Sequence, residues 1–229
     1  SLARKQVIYN DRVVPFNTLA RDFVLKLTGK PSYGGMTPEQ VIGGWLLRPE
    51  VWQNEPMIYI KNEALRRLLH LETPYARLAD LFAGEKYRLQ KYWKGEQGHH
   101  QKMTSLEKAI VEADEKVGLI LMLQNGTLIR PLPEDGSVEP VSDTKIQAEL
   151  LYNRIPFSKL LFMSNLTVGL LAFFRLLYRG LRRSSASGSS GRITVFASFS
   201  HLTDVFFPVA LYAAFLFQLF GYGLRWYIG

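Results

Sequence analysis

Short runs of apolar and polar positions fill the first 156 residues, and two long apolar stretches follow, Leu160–Tyr178 and Val205–Leu224. At 1.5 Å per residue, about twenty helical residues rise about 30 Å, the thickness of a bilayer's hydrocarbon core. Each stretch therefore predicts a transmembrane helix. The connector between them carries Arg179, Arg182, Arg183 and Arg192 and no acidic residue before Asp204. Short Lys/Arg-rich loops remain cytoplasmic, so both spans should run outward from it and residues 1–156 should lie outside the cytoplasm.

Within residues 1–156 the pattern predicts a mostly helical domain with a few short strands. Gln6–Tyr9 and Arg12–Pro15 read as a hairpin, with Asn10-Asp11 able to take the positive φ of a tight turn. Asn17 or Thr18 caps a helix over Leu19–Leu27 that Gly29 stops. Thr37-Pro38-Glu39-Gln40 is a capping box with proline at the first helical position, and its helix runs to about Leu47. Met57–Ile60 reads as a strand, Asn62 as the cap of Glu63–His70, and Thr73-Pro74 as the start of a helix toward Phe82. The polar, aromatic residues 84–102 read as helix and then exposed loop. Thr104-x-x-Glu107 is a second capping box, opening a helix whose apolar positions keep helical spacing until Asn125-Gly126. Thr127–Leu132 is an edge strand, Pro133–Val141 a loop, and Thr144–Tyr152 a helix leading to a hinge at Pro156.

The expected organisation is thus an extracytoplasmic domain over 1–156, a transmembrane helix over 157–178, a cytoplasmic Arg/Ser/Gly-rich connector over 179–204, a second transmembrane helix over 205–224, and the start of another outer loop at 225–229. Ser184–Gly191 is low in complexity and reads as a flexible link. The sequence begins at Ser1 without a signal peptide. An exported domain needs an export signal, so at least one upstream span is expected.

Charge supports this division. The net charge is +8, yet residues 1–156 hold 21 basic against 19 acidic residues, and residues 157–229 hold seven basic and one acidic. The excess flanks the spans, where lysine and arginine anchor helix ends and meet anionic lipid, so it is no nucleic-acid signature. Cysteine is absent, which excludes disulfides, thiol catalysis and thiolate metal sites in this chain.

Candidate chemistry is sparse. His99-His100 is the one histidine pair, without an acidic residue at ligand spacing, and reads as solvated loop. His70 closes a helix, where a cation meets the negative end of the dipole. His201 is the candidate cofactor ligand. It stands one helical turn from Asp204 at the inner end of the second span, where ionisable groups are either functional or ordinary headgroup-level residues. Ser164, Asn165, Thr167 and Gly169 form a polar, small-residue patch of the kind that packs against neighbouring helices. Lys159 and Arg175 near the span ends can snorkel, and Trp226 and Tyr227 form an interfacial belt. No catalytic triad, phosphate loop, dinucleotide fingerprint or carboxylate pair stands out.

Arg12-Val-Val-Pro-Phe-Asn-Thr-Leu-Ala-Arg-Asp-Phe through Gly29-Lys-Pro-Ser-Tyr33, followed by Thr37-Pro-Glu-Gln-Val-Ile-Gly-Gly-Trp45, resembles the outer domain of fused System II cytochrome c biogenesis proteins of the Bacteroidetes type. Those proteins join a ResB-like (CcsB) half to a ResC-like (CcsA) half. Trp52-Gln-Asn-Glu-Pro-Met-Ile-Tyr-Ile60 and Glu149-Leu-Leu-Tyr-Asn-Arg154 fit the same pattern, and Gly223-Leu-Arg-Trp-Tyr-Ile-Gly229 is similar to the stretch that leads into the haem-handling half. Relatives carry longer helical inserts near Asp143–Thr144, where this chain is short.

The resemblance implies haem delivery across the bacterial inner membrane and covalent attachment of haem to the thiols of an apocytochrome c on the periplasmic side. The partners it implies are haem, apocytochrome c, the membrane and further transmembrane helices of the same chain. It places the haem ligands and the synthase (haem lyase) chemistry outside this fragment, whose work would be scaffolding or apocytochrome docking. From another class, the rival expectation is an extracytoplasmic sensing or binding module of a transporter or signalling protein. A membrane hydrolase is disfavoured by the missing nucleophile.

Overall fold

The computed structural model describes residues 1–84, 86–92, 103–155, 157–185 and 194–228. The chain is mostly helical, with a few short strands and two C-terminal helices long and apolar enough to cross a membrane. It divides into two compact units, Ser1–Ile146 and Gln147–Gly229.

In the first unit β1 (Gln6–Tyr9) and β2 (Arg12–Pro15) form the expected hairpin. Asn10 and Asp11 take φ of 49° and 57°, the left-handed pair that a two-residue turn demands. Helix α1 (Phe16–Thr28) follows without a break and ends on Gly29 at φ 72°. It starts earlier than its capping residues suggest. Pro15, with φ already fixed, occupies the cap position, and the Phe16 amide donates back to the Lys5 carbonyl at 2.7 Å. Asn17 instead donates to Glu39 Oε1 at 2.6 Å, tying α1 to α2 (Pro38–Leu47).

Both capping boxes form, at Thr37/Gln40 on α2 and at Thr104/Glu107 on α5 (Ser105–Gln124). Between them lie α3 (Pro49–Trp52), β3 (Ile58–Tyr59), α4 (Glu63–Leu69) and β4 (Tyr75–Ala76). The helix expected from Thr73-Pro74 is not there. Tyr75 pairs with Tyr59, their ring centroids 5.4 Å apart, and the Thr73 hydroxyl bonds the Tyr75 backbone. Cross-strand pairing outweighs the local helix start. Part of the expected helix over 84–102 is likewise a strand pair, β5 (Phe82–Ala83) with β6 (Lys86–Tyr87), followed by a 3₁₀ turn at Gln90–Tyr92. Strand β7 (Arg130–Pro131) lies on the β1 edge, shorter than its apolar run.

Trp45, Phe23, Leu19, Leu27, Ile42 and Ile120 sit at the centre of one core built from α1, α2 and α5. Helix α2 passes close to α3: a Cβ on Gly44 would fall 2.1 Å from Trp52 Cε2, so only glycine fits there.

The second unit begins within α6 (Asp143–Arg154) and contains α7 (Phe157–Ser185) and α8 (Thr194–Ile228). The apolar spans are Lys159–Leu177 and Phe206–Ile228. Helix extends past both spans into the sequence expected as connector, to Ser185 on one side and from Thr194 on the other. Leucine and arginine are good helix formers, and a helix need not stop where its apolar stretch does. Pro156 and the Gly188–Gly191 stretch lie outside the described residues.

Candidate functional site

Helix α7 turns Phe157, Leu161, Ser164, Val168, Leu171 and Arg175 away from solvent, at steps of four, three, four, three and four. Helix α8 does the same with Phe207, Ala210, Ala214, Phe217, Gly221, Leu224 and Ile228. That 3.5-residue repeat is the signature of two helices wound together knobs-into-holes.

Four features set the antiparallel register. Gln218 Nε2 donates to Asn165 Oδ1 at 2.9 Å. The Arg175 guanidinium lies 5.5 Å from the Phe207 ring centroid, a cation–π contact. Phe157 stacks on Tyr152 and Phe217, with centroids 5.0 and 5.6 Å away, and meets Phe220. Gly221 leaves room for that ring, since a Cβ there would stand 3.1 Å from Phe157 Cδ1. Of the polar patch read from sequence, Asn165 reaches across to α8. Ser164 and Thr167 return their hydroxyls to the Leu161 and Met163 carbonyls of their own helix. Space beside Gly169 is open.

Polar groups in the first unit are held locally. Lys116 is 6% exposed and donates to the Tyr59 carbonyl at 2.6 Å and Glu112 Oε1 at 2.7 Å. Tyr9 donates to Asp22, which also pairs with Lys26 at 2.8 Å. Burial and the Asp22 carboxylate hold the Tyr9 hydroxyl above its usual range. Burial, with help from Glu55, pushes Tyr33 up to about 12. Burial, together with Asp114, raises Tyr87 as well. The aromatic centre is Trp45, whose indole donates to Met57 Sδ at 3.2 Å, with Trp52 between it and Tyr33.

His70 occupies the left-handed residue that ends α4 and is exposed. His99 and His100 lie outside the described residues. The backbone of His201 belongs to α8, five residues before the apolar span at Phe206. Among the described residues no three His, Asp or Glu side chains gather as a metal site. Among the described residues a recess beside Lys116 and Tyr59 measures about 10 Å³, room for one water. A haem does not fit it. Sequence reading passed over Gln218 and the Arg175–Phe207 contact. The heptad spacing of small and aromatic residues along α8 was the signal that could have found them.

No protein-family model matches the chain. Over 129 residues, 54% of its length, it is 35% identical to the protein NrfI of Wolinella succinogenes, and the match covers 14% of that relative.

Proposed function

We propose that this chain is part of a membrane-bound cytochrome c maturation protein, joining the outer domain of a ResB-like half to the first span or spans of a ResC-like half. Its own work is scaffolding: it presents residues 1–156 on the periplasmic face and supports apocytochrome c docking while haem is handled elsewhere in the protein. The similarity to NrfI carries the role in cytochrome c maturation, and the two apolar helices argue for membrane association. The arginine-rich connector supports the orientation.

Topology reporters test this reading. A fusion at Ser187 should report a cytoplasmic location and one at Glu134 an exported one; the reverse pattern ends the orientation and the haem-attachment role with it. Purified residues 1–156 mixed with haem should give no stoichiometric Soret band. In the full-length protein, His201→Ala should leave cytochrome c maturation within about twofold, if this residue marks the headgroup boundary. A defect that added imidazole rescues would instead make His201 an axial ligand.

A further inference from the structure

We infer that the face of α8 turned away from α7 is the packing surface for a further transmembrane helix, one that brings a hydrogen-bond acceptor to Tyr222. The inference rests on reading α7 and α8 as membrane spans of a longer protein. Helix α8 carries two heptad rows. One is the buried seam against α7. The other runs through Tyr212, Phe215, Leu219, Tyr222 and Trp226, again at steps of three and four, and every member is more than half exposed. At 100° per residue the two rows lie on roughly opposite sides of the helix. A surface that meets only acyl chains requires neither this period nor hydroxyl groups, because lipid tails are as apolar as leucine.

Tyr222 decides the matter. The span Phe206–Ile228 centres on residue 217, so the Cα of Tyr222 stands about 7.5 Å from the midplane. Side chains on a helix lean toward its N-terminus. At Tyr212 that lean carries the phenol toward the near interface. At Tyr222 it carries the phenol toward the bilayer centre, where no water can reach it. Among the described residues neither hydroxyl has a hydrogen-bond partner, and the two side chains are 65% and 68% exposed. An unbonded hydroxyl held in hydrocarbon is costly, so a protein acceptor is called for. Gly223 borders the row with open space above it, which lets a second backbone approach. The 129-residue match covers 14% of NrfI, so a protein of that kind has ample further sequence to supply the helix. Trp226, 85% exposed, sits near the span's end, where an indole belongs at the interface.

The test uses the full-length protein in native membranes, with photoreactive benzoylphenylalanine placed singly at positions 215, 219, 222 and 216. Leu216 is exposed but lies off the row. Irradiation followed by peptide mapping should give protein adducts from 215, 219 and 222 to one apolar segment of the same polypeptide other than α7, with a yield several-fold above that from 216. In detergent, Tyr222→Phe should lower the melting midpoint and Tyr212→Phe should not. Lipid adducts at all four positions overturn the inference, as do adducts to a second copy, or a Tyr222→Phe midpoint equal to wild type. Release of the protein by alkaline carbonate would instead remove the membrane reading on which the inference stands.

Discussion

The Gln218 side chain spans the two long helices to the Asn165 carbonyl oxygen, 53 residues away in sequence, at 2.9 Å. This polar tie lies at the exposed edge of the seam between two apolar helices, and it fixes a register that leucine and phenylalanine alone would leave free to slide. Hydrogen bonds between membrane helices average about 0.6 kcal/mol and reach about 1.7. In a double-mutant cycle, Asn165→Leu and Gln218→Leu should couple by an amount in that range, read from unfolding midpoints in detergent. Each single variant should be worse than the double, because it leaves one amide unsatisfied. Strict additivity would show that the pair contributes no register energy.

Gly44 faces Trp52 where α2 turns toward α3. A methyl group there would overlap the indole, at 2.1 Å from Cε2 and 2.3 Å from Nε1. Indole is rigid, and Trp52 is itself wedged between Trp45 and Tyr33. Gly44→Ala should therefore destabilise the first unit by about 1–3 kcal/mol, the usual cost of overpacking. Tryptophan emission should shift to the red as Trp52 is displaced. Gly43, one residue earlier, has open space at its Cβ position, so Gly43→Ala should leave the emission unchanged and raise stability by about 0.4–1 kcal/mol, the helix-propensity gain.

The contrast between these neighbours shows what the sequence could and could not disclose. Capping boxes at Thr37 and Thr104, the Asn10-Asp11 turn and the Gly29 stop are local chemistry, and each was legible from a handful of residues. The two long apolar helices were legible because length and apolarity are local too. Thr73-Pro74 misled because its outcome was set by Tyr59, far away in sequence, through the β3–β4 pairing. Gln218 and Gly44 share that property: their roles come from Asn165 and Trp52, and nothing beside them in sequence announces it. For the candidate site, His201 was found by type alone, and its backbone place in α8 follows from a helix that begins before its apolar span.

Tyr33 donates to Glu55 Oε2 at 3.0 Å, and burial and that carboxylate together push its pKa up to about 12. The unfolded phenol titrates near 10. A folded value above the unfolded one stabilises the protein fully below pH 10, and that contribution fades as pH rises from about 10 to about 12. Wild type should lose stability across this window more steeply than Tyr33→Phe. Glu55→Gln removes the charge and keeps the burial, so the Tyr33 titration, followed by NMR of the ring carbon bearing the hydroxyl, should fall part of the way toward 10. A full return to 10 would assign the whole shift to the carboxylate.

Lys116 and Glu112 form an ion pair whose two ends differ in environment, with the lysine side chain 8% exposed and the glutamate 54%. Exposed carboxylates lose little when a partner leaves, because water takes over. The lysine has no such retreat, and its ammonium also serves the Tyr59 carbonyl on β3 at 2.6 Å and sits 5.9 Å from the Tyr59 ring centroid. Glu112→Gln should therefore cost less than about 1 kcal/mol. Lys116→Met fills the same space with an apolar chain yet strips the carbonyl of a charged donor, a loss of about 1–3 kcal/mol. Denaturation midpoints of the two variants should differ in that order. The opposite order would mean that the exposed carboxylate, and not the strand carbonyl, is what holds the ammonium between α5 and β3.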